Sequence, residues 1–151
     1  MADLPRVDVV LISHNHYDHL DLVSVRALYR QAGGPPIFYV PLGVDAWLTA
    51  RLGAHSGAHI TALDWWDYVD HGGVDLHFLP VQHSSWRRPW DRNATLWGAW
   101  AVRHPDFNFF FAGDLAYSPD VRDIGRAMGG FGRSRPSGSG TAPRARRPRW
   151  R

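Results

Sequence analysis

The segment Ser13–Asp21 reads Ser-His-Asn-His-Tyr-Asp-His-Leu-Asp and decides the interpretation of the whole chain. It follows an apolar run, Val7–Ile12, which predicts a buried β-strand that is bounded by Pro5. A strand that ends in three imidazoles and a carboxylate delivers several metal ligands to one rigid edge. This pattern predicts a metal-binding loop and is not typical of a polar surface loop.

The ligand groups of this loop divide into two pairs. Residues two apart in an extended segment point the same way, so His14 and His16 are predicted to face one ion. Asp18 and His19 turn off that line and can face a second ion. Neutral imidazoles and carboxylates suit zinc, and two-metal sites hold their ions roughly 3.5–4 Å apart.

Two later predicted strands also end at a ligand residue, His83 after Val74–Val81 and Asp114 after Phe107–Ala112. Active sites of layered α/β proteins gather at strand ends. A first site with three histidines and one open position is therefore predicted, made by His14, His16 and His83. A second site, richer in carboxylates, is predicted from Asp18, His19 and Asp114.

The periodicity of the chain predicts an α/β layered fold. Helical spacing, caps and glycine stops predict helices over Leu22–Ala32, Val44–Leu52 and from Pro119 to Met128, with Asp21 and Ser118 as N-caps. Apolar runs predict the remaining strands: Ile37–Val40, Ile60–Leu63, Val74–Val81, Leu96–Val102 and Phe107–Ala112. Alternating strands and helices are typical of such layers.

Composition separates residues 1–131 from residues 132–151. All 17 basic residues are Arg and all 14 acidic residues are Asp, and Cys is absent. Residues 132–151 hold seven Arg and no acid, so the acidic remainder carries −4 against +7 and gives the net +3. A nucleic-acid partner is therefore not expected.

We predict a partial enzyme domain over 1–131 and a disordered tail over 132–151, rich in Arg, Pro, Gly and Ser. The abrupt loss of patterning favours a frameshift product over a selected basic arm. The sequence has no 18-residue apolar run and no signal peptide, which predicts a cytoplasmic or membrane-peripheral protein.

The motif His14-Asn15-His16-Tyr17-Asp18-His19 resembles the H-x-H-x-D-H signature of the metallo-β-lactamase superfamily. Further segments resemble one branch of it, which contains the N-acyl-phosphatidylethanolamine-hydrolysing phospholipase D and bacterial RomA-like hydrolases. These segments are Ser13–Asp21, Leu63–Asp67, Gln82-His83, Asp91–Gly98 and Phe111–Ser118.

The resemblance implies an αββα sandwich with two zinc ions and hydrolysis of a phosphodiester, such as a phospholipid, by a metal-bridged hydroxide. In this scheme Asp18 binds the second ion and orients the nucleophile, which makes it the candidate catalytic residue. Association with a membrane surface follows from such a substrate. Alternatives are hydrolysis of another ester or lactone, or a non-catalytic fragment. The oligomeric state is left open.

The chain departs from the family pattern in two ways. Few residues precede the first strand, and no His follows His104 to supply the last ligand of the second zinc. We therefore expect an internal fragment of a larger hydrolase, with impaired activity.

Residues around the ligands receive lesser roles. The loop from Gln82 to Ala94 offers Trp86, Arg87, Arg88, Trp90 and Arg92 to line the mouth of the site, with Arg pairing a phosphate; packing and solvated side chains are the alternative. Ser13 and Asp21 are predicted to hydrogen-bond ligand histidines. The other histidines are expected to be ordinary surface residues: His55, His59, His71, His77 and His104.

Overall fold

The computed structural model describes residues 4–129 and divides the chain into two compact units. The first unit contains the chain up to Leu63 together with Ser84–Leu96. The second contains Asp64–His83 together with the chain from Trp97 onward. Each unit has one β-sheet.

The first unit is built on a three-stranded parallel sheet of order β1-β2-β3. Its strands are β1 (Val9–Leu11), β2 (Ile37–Pro41) and β3 (Ile60–Leu63). Helix α1 (Leu22–Tyr29) connects the first two strands. Helix α2 (Val44–Leu52) and a 3₁₀ turn (Ala54–His59) connect the second to the third.

Local chemistry explains where the two helices begin and end. The Asp21 side chain accepts a hydrogen bond from the Ser24 backbone N–H at 2.7 Å and caps α1. Gly43 and Gly53 flank α2 with φ angles of 87° and 106°, which favour glycine. The helices and sheet bury one apolar cluster: Ile12, Leu20, Val25, Phe38, Val40, Val44 and Leu48.

The second unit is an antiparallel meander of order β4-β5-β6-β7 followed by a helix. The strands are β4 (Tyr68–His71), β5 (Val74–Leu79), β6 (Ala99–His104) and β7 (Phe107–Phe111), and helix α3 spans Asp120–Met128. His71 pairs with Val74 across a two-residue turn, Gly72-Gly73. Both glycines have positive φ, as a tight hairpin turn requires.

Tryptophans at the start of β6 hold the core of the second unit. The Trp97 indole N–H donates to the Val81 carbonyl at 2.9 Å, and the Trp65 indole N–H donates to the Trp97 carbonyl at 2.5 Å. The Trp65 and Trp97 rings meet edge to face at 5.4 Å. Trp97 and Trp100 are both buried, so their role in this unit is structural.

The α/β fold class is confirmed, with differences at some element boundaries. Strand β4 was not predicted, α1 ends at Tyr29, and β6 runs two residues further, to His104. Helix α3 starts at Asp120, although the Ser118 hydroxyl still accepts from the Asp120 backbone N–H at 3.3 Å. The predicted tail 132–151 lies outside the described residues, and the division at residue 131 stays a prediction.

The surface position predicted for His77 is wrong. Both faces of β5 are buried from Leu76 to Leu79, and His77 is only 7% exposed. Its ring stacks on Tyr68 at 5.2 Å across the β4–β5 pair. Because β5 is a central strand with neighbours on both sides, the polar alternation in its sequence did not mark an exposed face.

Within residues 4–129, no helix has the length and apolar content that crossing a bilayer requires.

Substitution of Gly98 by Ala should destabilise the second unit by at least about 2 kcal/mol through overpacking. A Cβ at this position would lie 2.5 Å from both the Leu79 carbonyl oxygen and the Phe78 ring. Gly125 in α3 is the matched control, since a Cβ there meets nothing within 4 Å. Gly125→Ala should stabilise by about 0.5–1 kcal/mol. Urea unfolding of both variants measures this, and equal midpoints would contradict the packing.

The stability of the protein should fall on acidification partly through His77. Burial lowers the pKa of His77, with Asp75 opposing the shift and Arg103 reinforcing it. A His with a lowered folded pKa favours the unfolded chain once the pH falls below the unfolded pKa of about 6.5. His77→Phe should remove this component. The difference between the urea midpoints at pH 7.5 and pH 5.5 should therefore be smaller in His77→Phe than in wild type. In the control His71→Gln this difference should equal that of wild type.

Candidate metal centre

The sheet of the first unit positions the histidine loop. The Ile12 backbone N–H donates to the Tyr39 carbonyl at 3.1 Å, which extends the β1–β2 pairing to the loop's first residues. Past the strand the chain folds into one turn. In this turn the His16 carbonyl accepts from the backbone N–H groups of His19, at 3.1 Å, and Leu20, at 2.8 Å. The loop is therefore fixed by the backbone before any side chain is considered.

The imidazole of His14 is 1% exposed and lies between two polar groups. The Ser13 hydroxyl is 3.0 Å from Nδ1 of His14, and Nδ1 of His16 is 2.9 Å from Nε2 of His14. The contact predicted between Ser13 and a ligand histidine is present. The rings of His14 and His19 also approach to 4.2 Å between centroids.

The second pair of the loop, Asp18 and His19, is more exposed. Oδ2 of Asp18 lies 3.7 Å from Nε2 of His19. The Asp18 side chain is 77% exposed and that of His19 21%. These two groups therefore face a region that solvent reaches, in contrast to the buried His14.

In the second unit, a short backbone pairing brings His83 and Asp114 together. The Ala116 N–H donates to the Gln82 carbonyl at 3.0 Å, in an isolated antiparallel bridge just beyond β5 and β7. Nε2 of His83 lies 3.6 Å from Oδ2 of Asp114. The fold of this unit thus brings His83 and Asp114, which are far apart in the sequence, close together in space.

The spacing of these three pairs fits shared metal ions. Two ligand atoms on one tetrahedral zinc at ~2.0–2.1 Å lie roughly 3.3–3.4 Å apart. The pairs His14–His16, Asp18–His19 and His83–Asp114 have spacings of 2.9, 3.7 and 3.6 Å. Because every donor is an imidazole nitrogen or a carboxylate oxygen, the groups suit a first-row transition metal. Donor chemistry and spacing support a metal cofactor.

A pocket of about 510 Å³ opens beside the histidine loop in the first unit. Its lining combines two loop ligands with aromatic and basic side chains: His16, Tyr17, Asp18, Trp86, Arg87, Arg88 and Pro89. The Trp86 ring lies 6.1 Å from the His16 ring. Of the five residues predicted to line the mouth of the site, Trp86, Arg87 and Arg88 therefore reach this pocket, whereas Trp90 and Arg92 are exposed and are not among its lining residues.

Asp91 shapes the loop that carries these residues. Its Oδ1 accepts from the backbone N–H groups of both Arg87 and Arg88 at 2.8 Å. These two bonds, the Arg87 one foremost, lower the pKa of Asp91. The loop therefore keeps an ionised carboxylate at neutral pH.

One position, Asp21, differs from one of its two predicted roles, and two other positions were missed. Asp21 caps α1 through Ser24, whose side-chain hydrogen bond lowers the pKa of Asp21, and this explains its place in the motif. Tyr17 lines the pocket, although the sequence treated it as a spacer. Asn15 is 4% exposed, and its Oδ1 has no hydrogen-bond partner among the described residues. The only sequence signal for Asn15 and Tyr17 is their position between the predicted ligands of the motif.

Among the described side chains, the remaining histidines do not belong to these groups. His59, His71 and His104 are partly exposed, as surface residues are, and the side chain of His55 lies outside the described part. His59 contacts Tyr29, and His104 stacks on Phe107. His77 is the exception already described.

Fold and ligand groups together define a metallo-β-lactamase-type protein. The chain belongs to the family described as the beta-lactamase superfamily domain, whose model matches residues 1–132. This confirms the superfamily that the H-x-H-x-D-H signature predicted.

The chain is similar to longer curated proteins. It is 35% identical over 138 residues to N-acyl-phosphatidylethanolamine-hydrolyzing phospholipase D 1 of Caenorhabditis elegans, a match that covers 87% of this chain and 38% of that protein. It is 40% identical over 131 residues to an uncharacterized protein of Mycobacterium tuberculosis, covering 87% and 34%. The chain thus spans little more than a third of these relatives.

Among solved structures, it resembles CmlA, a diiron beta-hydroxylase from Streptomyces venezuelae. The TM-score is 0.62 at 23% identity, over 85% of this chain and 25% of that one. At this identity the likeness shows the fold alone.

Removal of the Ser13 hydroxyl should weaken zinc binding by about 10-fold, because partners of ligand histidines orient the ring and set its basicity. Ser13→Ala deletes the 3.0 Å contact to His14 Nδ1. Ser24→Ala is the matched control, since that hydroxyl donates to Asp21 and caps a helix instead. Competition titration with a chromophoric chelator measures the affinity; equal affinities of Ser13→Ala and Ser24→Ala would contradict the role.

Proposed function

We propose that this chain carries the metal-binding part of a zinc-dependent hydrolase of phospholipase D type, which cleaves phosphodiester bonds. The observation that carries the proposal is the lining of the pocket beside the histidine loop. There the proposed metal ligands His16 and Asp18 lie next to aromatic and basic side chains. A metal beside a guanidinium and an apolar wall suits a substrate with an anionic centre and an apolar body. The name of the Caenorhabditis relative supports the same reaction class.

The ligands are proposed to serve two ions. His83 of the second unit would complete a first site with His14 and His16, since a catalytic zinc takes three protein ligands and keeps one open position. Asp114 would join Asp18 and His19 in a second site, and its contact with His83 would place it beside the first set of donors as well. The first unit offers four of these six donors, so two ions with three donors each would also need the two donors of the second unit.

Within this scheme each side chain has a defined task. Zinc held by these residues would supply a water whose pKa is lowered to about 7. The carboxylate of Asp18, whose side chain is 77% exposed, would accept a hydrogen bond from such a water and orient it towards the substrate, and this is the catalytic role we assign to Asp18. Trp86 packs on the apolar part of the substrate beside His16.

Charge pairing with the phosphate is assigned to arginines of the same loop. Arg88 lines the pocket and Arg92 is exposed nearby in sequence. Arg87 was an equal candidate, but its guanidinium is used in contacts with the protein, as described below. An arginine fork pairs with phosphate oxygens in a bidentate manner, which suits this role.

Zinc is proposed over iron on the donor set. Three histidines with an open position are typical of catalytic zinc. The protein of similar fold from Streptomyces venezuelae is described as a diiron enzyme, so iron is the alternative metal. Metal analysis therefore belongs to the test.

The proposed substrate class is a phospholipid or another phosphodiester, reached from the cytoplasm or a membrane surface. We propose no nucleic-acid partner, since the Arg-rich residues 132–151 supply all of the positive net charge. Hydrolysis of another ester or lactone, and a non-catalytic fragment, are the competing outcomes of the test.

Metal content and turnover test this function together. We expect purified protein to bind a first zinc tightly and a second more weakly, because two of the three donors of the second set are exposed carboxylates, those of Asp18 and Asp114. His14→Ala should lose the first ion, whereas the control His59→Ala should keep it. Mass spectrometry of metals and a chelator titration give the stoichiometry and affinity.

Turnover is measured on N-acyl-phosphatidylethanolamine, a lactone and a β-lactam. Selective release of phosphatidic acid, lost in Asp18→Asn, would support the phosphodiesterase. Selective turnover of the lactone would replace it with the ester or lactone alternative. Zinc binding without any turnover would favour the non-catalytic fragment.

A further inference from the structure

We propose that Arg87 is a positioning residue that clamps the ligand turn His16–His19 from both ends and so sets its metal affinity. The proposal rests on the proposed function in taking this turn as metal-binding. Its structural part, the clamp, concerns contacts made within the first unit.

The guanidinium of Arg87 reaches the backbone on each side of the turn. Nη1 donates to the Asn15 carbonyl at 2.7 Å and to the Leu20 carbonyl at 2.9 Å. These two residues immediately flank His16–His19. One nitrogen thus joins the entry and the exit of the ligand turn, and separation of the two ends would break at least one bond.

Two aromatic rings hold the guanidinium in place. Its central carbon lies 4.0 Å from the Tyr17 ring centroid and 4.5 Å from that of Trp47. Tyr17 belongs to the ligand turn itself, and Trp47 belongs to α2, which packs on the core. Cation–π contacts of this kind attract the guanidinium to the faces of both rings. The clamp therefore connects the turn to the rigid part of the unit.

The other side of the clamp is equally fixed. Asp91 accepts from the Arg87 backbone N–H at 2.8 Å, and the Ser85 hydroxyl donates to the Thr95 carbonyl at 2.6 Å. The Asn93 side chain accepts from the Ser85 N–H at 3.2 Å. The loop that carries Arg87 is thus held by its own hydrogen bonds.

The geometry requires an arginine. Burial lowers the pKa of Arg87, but a guanidinium stays charged in proteins, so it remains a donor and a cation. Its planar face stacks on Tyr17 and Trp47 while its edge donates to carbonyls. A lysine keeps the charge but has no planar face to stack, and its ammonium cannot reproduce both sets of contacts.

The test uses the full chain in three variants: Arg87→Ala, Arg87→Lys and the control Arg51→Lys. Arg51 also stacks on Trp47, at 4.0 Å, and donates to the Trp47 carbonyl, but neither of these contacts involves the ligand turn. Circular dichroism first establishes that each variant is folded. Hydrogen exchange of the metal-free protein and zinc affinity by chelator competition are then measured.

We expect the His19 and Leu20 amides to exchange at least about 10-fold faster in both Arg87 variants, with no change in Arg51→Lys. Zinc affinity should fall by about 10–100-fold, the range for partners that orient ligands. Wild-type exchange and affinity in Arg87→Lys would show that charge alone suffices and would overturn the clamp.

The outcomes separate this proposal from the proposed function. If wild type binds no zinc, the proposed function fails, while the exchange rates of metal-free protein still decide whether the clamp exists. If exchange rises across the whole unit, or if both Arg87 variants are unfolded, Arg87 supports global stability and the local role is wrong. Faster exchange in the turn with unchanged zinc affinity would also refute a role in metal binding.

Discussion

The contact between the buried His14 ring and the partly buried His16 ring is the interaction on which the geometry of the histidine loop depends. At 2.9 Å between nitrogens and 81° between the ring planes, it requires the two rings to be held edge to face. The backbone accomplishes this, because the β1–β2 pairing fixes the chain to Ile12 and the following turn closes on the His16 carbonyl. A buried imidazole such as that of His14 is costly unless its nitrogens have partners, and Ser13 supplies one on the side away from His16.

Local signals in the sequence were sufficient for much of this architecture. Helix α2 and strand β3 lie where their glycines and apolar runs placed them, and Asp21 caps α1 as its position before a periodic segment indicated. These features depend on residues a few positions apart, so a single sequence contains the information. The close approach of the predicted ligand residues in pairs could also be predicted, because these residues lie in one short motif and at the ends of two strands.

Contacts between distant residues account for what the sequence could not reveal. His77 looked exposed because its neighbours alternate in polarity, yet strands on both sides of β5 bury it. Strand β4 was missed because Tyr68–His71 is short and half-buried, and only its pairing with β5 defines it. Arg87 resembled a substrate ligand since nothing local indicates that its partners are Asn15 and Leu20, more than 60 positions away.

The arrangement of the units along the chain has a consequence for biosynthesis. Ser84–Leu96 belongs to the first unit, and Leu96 donates to the Leu42 carbonyl at 2.9 Å, but β4 and β5 of the second unit come before it in the sequence. The first unit therefore cannot finish folding until two strands of the other have left the ribosome. The turn His16–His19 is synthesised early, but the loop Ser84–Leu96 that contacts it is synthesised much later. Contacts between residues this far apart in the sequence form late and slow the folding of a chain.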